Sequence, residues 1–96
     1  MNIRYNVDPD TGLPHMYQHD VSEEEVEEIL DRPLECRRGD DDSMVLTGKT
    51  WRGRFLKVIV SFDEDRQGCF VISAYDLQGK PLKALRRRMR RRGQSL

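Results

Sequence analysis

Six arginines crowd the stretch Arg86-Arg87-Arg88-Met89-Arg90-Arg91-Arg92. Wound as a helix, such a run sets like charges four residues apart, where each pair costs a few tenths of a kcal/mol. A partner that neutralises them offsets that cost. Guanidinium groups fork onto phosphate oxygens, and each neutralised phosphate releases condensed counterions. RNA or DNA contact is therefore the sharp reading, with Arg86, Arg87, Arg90 and Arg91 as expected phosphate contacts. An ion-pair network with the acidic segment Glu23–Glu28, in the same molecule or across a homodimer, competes with it, and so does a solvated tail. A second group with chemical potential is His15 and His19, four apart. That spacing puts two imidazoles on one helical face, where they can share acid–base work. A metal would need a third ligand at suitable spacing, and none is present, so neither a metal nor a cofactor is expected.

Other chemistries lack their residues. Asp8-Pro9-Asp10-Thr11-Gly12 begins like a calcium loop, but the twelfth position is His19 where the loop needs a glutamate. No phosphate-cradling loop, Ser-His-Asp spacing or paired-cysteine motif occurs.

The formal net charge of zero conceals a split. Residues 1–48 carry 13 Asp/Glu against 4 Lys/Arg, and residues 49–96 carry 4 against 13. This asymmetry implies a dipolar surface or internal acid–base pairing, with the basic half as the one to contact nucleic acid. At 96 residues and 36% apolar content, the chain suits one domain, residues 1–96, with a modest core and a heavily charged surface. The segment Met1-Asn2-Ile3-Arg4-Tyr5 lacks the apolar core of a secretory signal, and no apolar run approaches the ~20 residues of a membrane span. The expected setting is the cytoplasm, away from membranes, with Cys36 and Cys69 reduced and buried in strands.

The elements that must position these groups follow from periodicity. Residues 3–7 suit a short strand, followed by a turn-rich stretch to Pro14. Ser22 as N-cap, Glu25 three residues on, and Val21 with Val26 make a capping box and hydrophobic staple. They open a helix over 22–31 whose apolar stripe is Val26, Ile29 and Leu30, and Pro33 ends it. Strand-like alternation then covers 34–38, 44–49, 54–62 and 69–75. In the third of these, Leu56, Val58, Val60 and Phe62 face one side, and Phe55, Lys57, Ile59 and Ser61 the other. In the fourth, Phe70, Ile72 and Ala74 share a face. Pro81 suits the first turn of a second helix with Leu82, Leu85 and Met89 on its stripe, and Gly93 ends it. The short connections predict an α+β fold: an antiparallel sheet of about four strands with one helix at each end.

Several of these segments together resemble a known family. His19-Asp20-Val21-Ser22-Glu23-Glu24, then Asp31-Arg32-Pro33, Gly48-Lys49-Thr50, Arg52-Gly53-Arg54 ahead of an apolar strand, and Val71-Ile72-Ser73-Ala74 are similar in order and spacing to BrnT-like toxins. The resemblance spans residues 18–76. It implies a RelE-like fold and the toxin role in a type II toxin–antitoxin pair. The implied activity is metal-independent cleavage of RNA, silenced by a cognate antitoxin protein. Two positions depart from the family pattern. Its arginine after Ser-Ala is Tyr75 here, and the Glu-Arg-x-x-Tyr start of its last helix is replaced by Leu82-Lys83-Ala84-Leu85-Arg86. A non-catalytic RNA- or protein-binding module of the same fold is the alternative.

Metal-free RNA cleavage needs a base for the 2′-hydroxyl proton, an acid for the leaving oxygen and cations for the charged phosphorane. Arg52 and Arg54 flank a glycine at the start of the central strand, where backbone can approach a phosphate, and Lys49 lies across that turn. Tyr75 can stack on a base, donate a proton, or simply edge the core. Trp51 can stack on a base or cap the core. His19 is the candidate base, since histidine titrates near neutrality; its competing role is packing ahead of the capping box. The expected site is thus Arg52, Arg54, Tyr75 and His19 for chemistry, with Lys49, Trp51 and the basic helix for RNA.

Overall fold

The computed structural model describes residues 1–94, so the last two residues of the domain expected over 1–96 lie outside the described residues. Ser22 caps helix α1 (Glu23–Asp31) as its sequence predicts: its hydroxyl accepts from the Glu25 amide and the Glu25 carboxylate accepts from the Ser22 amide. Val26 and Ile29 are fully buried on the inner face of this helix, where each contributes about 1.5–3 kcal/mol by leaving water. Before it, β1 (Asn2–Tyr5) leads through a turn-rich stretch into one 3-10 segment, His15–His19. After it come β2 (Glu35–Arg38), β3 (Met44–Lys49), β4 (Phe55–Phe62), β5 (Gly68–Asp76) and α2 (Gly79–Arg91).

Strands β2 to β5 form the expected antiparallel meander. The sheet nevertheless has five strands rather than about four, in the order β1-β5-β4-β3-β2, and it is mixed, because β1 runs parallel to β5. The reason is topological. The chain leaves β1 through the 3-10 segment and α1 before reaching β2, so β1 joins the opposite edge without reversing direction. Gly68 makes this possible: a Cβ there would lie 2.5 Å from the Asn2 carbonyl oxygen.

One face of the sheet packs on α1 and the 3-10 segment. Leu46, Leu56, Val58, Val60 and Ala74 form this core with Val26, Ile29 and Met16. Gly48 lets the helix come close, since a Cβ there would meet Ile29 Cδ1 at 3.0 Å. The other face is roofed at one end only, where Leu85 and Met89 of α2 bury against Phe55 and Leu77. Cys69 is buried as expected, and burial pushes its thiol pKa up. Cys36 is exposed, contrary to the sequence expectation, because β2 is an edge strand reaching past the cover of α1.

A bulge reorganises β5. Ile59 pairs with Ser73 but Val60 pairs with Val71, so Ile72 is the extra residue. An inserted residue reverses the alternation beyond it. Cys69 and Val71 therefore point into the core together with Ala74, instead of the expected Phe70, Ile72 and Ala74. Tyr75 is carried to the opposite, partly open face.

Candidate functional site

On that open face the register aligns one polar residue from each of four strands. Glu35 on β2 is the partner of Thr47 on β3, Thr47 of Lys57 on β4, and Lys57 of Tyr75 on β5. Directly paired side chains start about 4.5–5.5 Å apart at Cβ, so the four make a continuous row. The Lys57 ammonium lies 5.8 Å from the centre of the Tyr75 ring. His19 extends the row past the sheet edge, with its ring centre 6.0 Å from that of Tyr75, and His15 stands 5.7 Å beyond His19. The 3-10 segment holds both histidines through buried Met16, and it stops at Asp20, whose φ of 57° breaks the helical path.

Helix α2 overhangs the other end of the row and encloses a cleft of about 660 Å³. Its lining includes Lys57, Thr47, Arg37, Glu35, Arg88 and Arg92. Arg88 grips the Glu35 carboxylate with two hydrogen bonds of 2.7 and 2.8 Å, and Arg92 reaches the same carboxylate at 3.1 Å. These bonds, led by Arg88, hold the Glu35 carboxyl below the usual carboxylate range. Arg37 and Lys57 form no ion pair among the described residues. Among the described residues, four cations thus face one carboxylate. Thr47 Oγ1 is buried there without a hydrogen-bond partner among the described residues, an arrangement that costs about 1–3 kcal/mol unless a ligand or water satisfies it.

Arg54, expected to act on a phosphate, is engaged elsewhere. Its guanidinium donates to Asp76, to both oxygens of Glu25, and to the backbone carbonyls of His19 and Asp20. The Asp76 contact above all raises the Arg54 pKa further. One side chain thereby ties α1, the end of β5 and the end of the 3-10 segment. Since Asp76 follows Tyr75 and His19 supplies a carbonyl, the clamp positions the backbone on both sides of the His19–Tyr75 contact.

The remaining expected residues divide between two surfaces. Lys49 and Arg86 stand 5.6 and 5.3 Å from the Phe55 ring, at the Phe55 end of the open face. Arg87, Arg90 and Arg91 lie exposed on the outer side of α2. Trp51 and Arg52 instead line a separate groove with Glu24, Glu25 and Glu28 of α1. Trp51 is 77% exposed with the Arg32 guanidinium 5.6 Å from its ring, so it does not cap the core.

Six polar residues of the row and cleft were not singled out by sequence reasoning: Glu35, Arg37, Thr47, Lys57, Arg88 and Arg92. A signal existed for three. Lys57 is the only charge in the apolar run Phe55–Phe62. Arg88 and Arg92 continue the inward helical spacing from Pro81 and Ala84. The pairing of Glu35 and Thr47 with Lys57 is long-range and leaves no local trace.

Among the described residues, no group of three or more His, Cys, Asp or Glu side chains is placed to hold a metal ion. No helix among them is long and apolar enough to cross a membrane. The molecule is an α+β domain whose sheet carries a cationic cleft beneath its last helix. The family model described as Domain of unknown function (DUF4258) matches residues 13–76, and the chain belongs to that family. No curated protein and no solved structure matches it.

Proposed function

We propose that the protein is a metal-independent endoribonuclease of the BrnT-like, RelE-like type, acting as the toxin of a type II toxin–antitoxin pair and restrained by a cognate antitoxin. The observation that carries this reading is the row Lys57–Tyr75–His19, which supplies a cation, a phenol and an imidazole on one surface. The Lys57 ammonium and the His19 ring centre lie 5.8 and 6.0 Å from the centre of the Tyr75 ring, so an RNA strand laid along the row meets all three groups.

In this mechanism His19 takes the proton from the 2′-hydroxyl as that oxygen attacks phosphorus. Tyr75 gives its phenolic proton to the departing 5′ oxygen as the P–O5′ bond breaks. The products are a 2′,3′-cyclic phosphate and a free 5′-hydroxyl. Lys57 faces the non-bridging oxygens, whose charge grows in the transition state. Arg54 acts as a positioning residue through the backbone of His19 and the side chain of Asp76. Lys49, Arg86 and the outer arginines of α2 hold flanking phosphates.

A non-catalytic RNA-binding module of the same fold is the competing reading. It is favoured by the engagement of Arg54, which the toxin resemblance casts in the chemistry, in a structural clamp. Induced expression in a bacterial host separates the two. The toxin reading expects growth arrest relieved by the product of an adjacent small gene, with cleaved cellular RNA. Harmless expression with intact RNA and salt-sensitive RNA binding favours the module.

A further inference from the structure

Among the described residues Glu35 is the one carboxylate lining the cleft with its cations, and its side chain is only 15% exposed. Its two oxygens accept from Arg88 Nε and Nη2 in the parallel fork that arginine also makes with phosphate. We infer that Arg88 and Arg92 form a seat for an RNA backbone phosphate, which the Glu35 carboxylate fills in the free protein and yields when RNA arrives. This deepens the proposed function and rests on its choice of RNA as ligand.

Three observations favour a seat over a purely structural ion pair. First, α2 is anchored without Glu35: Leu85 and Met89 are fully buried against Phe55 and Leu77, with Leu34 and Leu82 alongside. The ion pair is thus not needed to keep the helix down. Second, Glu35 is the first residue of edge strand β2, so its side chain can swing outward without breaking an inner ladder. Third, Arg37 and Lys57 line the same cleft with no ion-pair partner among the described residues, and Thr47 Oγ1 is buried and unpaired at its wall. A phosphate replacing the carboxylate would bring a further acceptor oxygen toward that hydroxyl and more negative charge toward Lys57. The seat also lies on the row that carries the Lys57–Tyr75 pair, so a strand held there is led toward the proposed chemistry.

The test uses a 2′-O-methyl RNA oligonucleotide, which cannot be cleaved, and reads its affinity by fluorescence anisotropy. Glu35→Gln keeps the side-chain shape but frees the arginines. It should bind roughly fivefold more tightly than wild type and steepen the dependence of log K on log salt by about one contact. Glu64→Gln removes an equal charge from an exposed loop and reports the general effect of charge. Arg88→Ala should weaken binding, and in its background Glu35→Gln, which then frees Arg92 alone, should gain clearly less than in the otherwise wild-type protein. The seat is refuted if Glu35→Gln binds no better than Glu64→Gln, or if it gains equally without Arg88. A wild-type measurement covers misfolding of the variant: the side-chain carboxyl carbon signal of Glu35 should move on saturation with the oligonucleotide while that of Glu25 stays, and an unmoved Glu35 signal overturns the seat. Cleavage of unmodified RNA is scored separately. Tightening without cleavage leaves the seat and removes the nuclease, whereas cleavage without tightening does the reverse.

Discussion

Lys57 on β4 stands directly opposite Tyr75 on β5, with its ammonium 5.8 Å from the centre of the phenol ring. The pair exists because Ile72 bulges out of β5 and reverses the alternation. If Ile72 were instead paired regularly with Ile59, Tyr75 would fall opposite Leu56 and share a face with Val71, inside the core. A bulge that re-aims a side chain next to a polar cluster is a recurrent device at working sites.

Removing only the phenolic hydroxyl isolates its chemistry. Tyr75→Phe keeps the ring that faces Lys57 and His19, so RNA affinity should stay within about twofold. The cleavage rate should fall by about 10²-fold, the usual loss when a general acid is removed. Single-turnover kinetics with saturating protein separate the two effects.

The Arg54 clamp should matter for stability before it matters for chemistry. The side chain is 26% exposed and donates to two carboxylates and two carbonyls. Removing one partner of a buried pair costs about 3–5 kcal/mol; with screening at this exposure, Arg54→Ala should cost about 1–3 kcal/mol. Urea unfolding measures it. Arg54→Lys should recover only part, since an ammonium cannot span all four acceptors.

Acid should loosen the same joints. Arg54 holds the Asp76 carboxyl below the usual carboxylate range. Burial opposes ionisation of Glu25, yet the Ser22 amide and Arg54 outweigh it and lower that carboxyl too. Arg88 does the same for Glu35. A carboxylate with a depressed folded pKa contributes stability that is fully present above its unfolded value, near 4, and is lost as pH falls through the folded value. Thermal melts should therefore be level from pH 7 to about 5 and drop steadily below about 4. A melting temperature that rises on acidification would contradict the ion-pair assignments.

Strand β1 depends on one glycine. Gly68→Ala sets a Cβ 2.5 Å from the Asn2 carbonyl oxygen, and overpacking of this kind costs about 1–3 kcal/mol. Amide exchange should speed up selectively at Asn2–Tyr5. Residues of β3 and β4 should keep their protection.

These elements differ in how much the sequence revealed of them. The helix behind Ser22 and the meander from β2 to β5 were legible because their causes are local: a capping box, a proline stop and period-two alternation. The parallel pairing of β1 was not, since Asn2 meets Gly68 across most of the chain. The bulge at Ile72 defeated alternation in β5 for a similar reason, because only the partner strand reveals an unpaired residue. Sequence reasoning named Tyr75, Lys49 and Arg86, which lie on the open face, and His19, whose ring meets that of Tyr75 past the sheet edge. It also named Trp51, Arg52 and Arg54, which belong to the α1 side. Charge density pointed to the arginines on the outside of α2, while Arg88 and Arg92, turned toward Glu35, were hidden within the same run.

Lys57 is the centre of the row, and its removal tests the central claim most directly. Unstructured RNA is incubated with wild-type protein and with Lys57→Ala in the presence of EDTA, and product ends are identified by mass. Wild type should yield fragments ending in 2′,3′-cyclic phosphate, and Lys57→Ala should cut about 10²–10³-fold more slowly while keeping its fold. No cleavage by wild-type protein, or equal cleavage by both, would contradict the account.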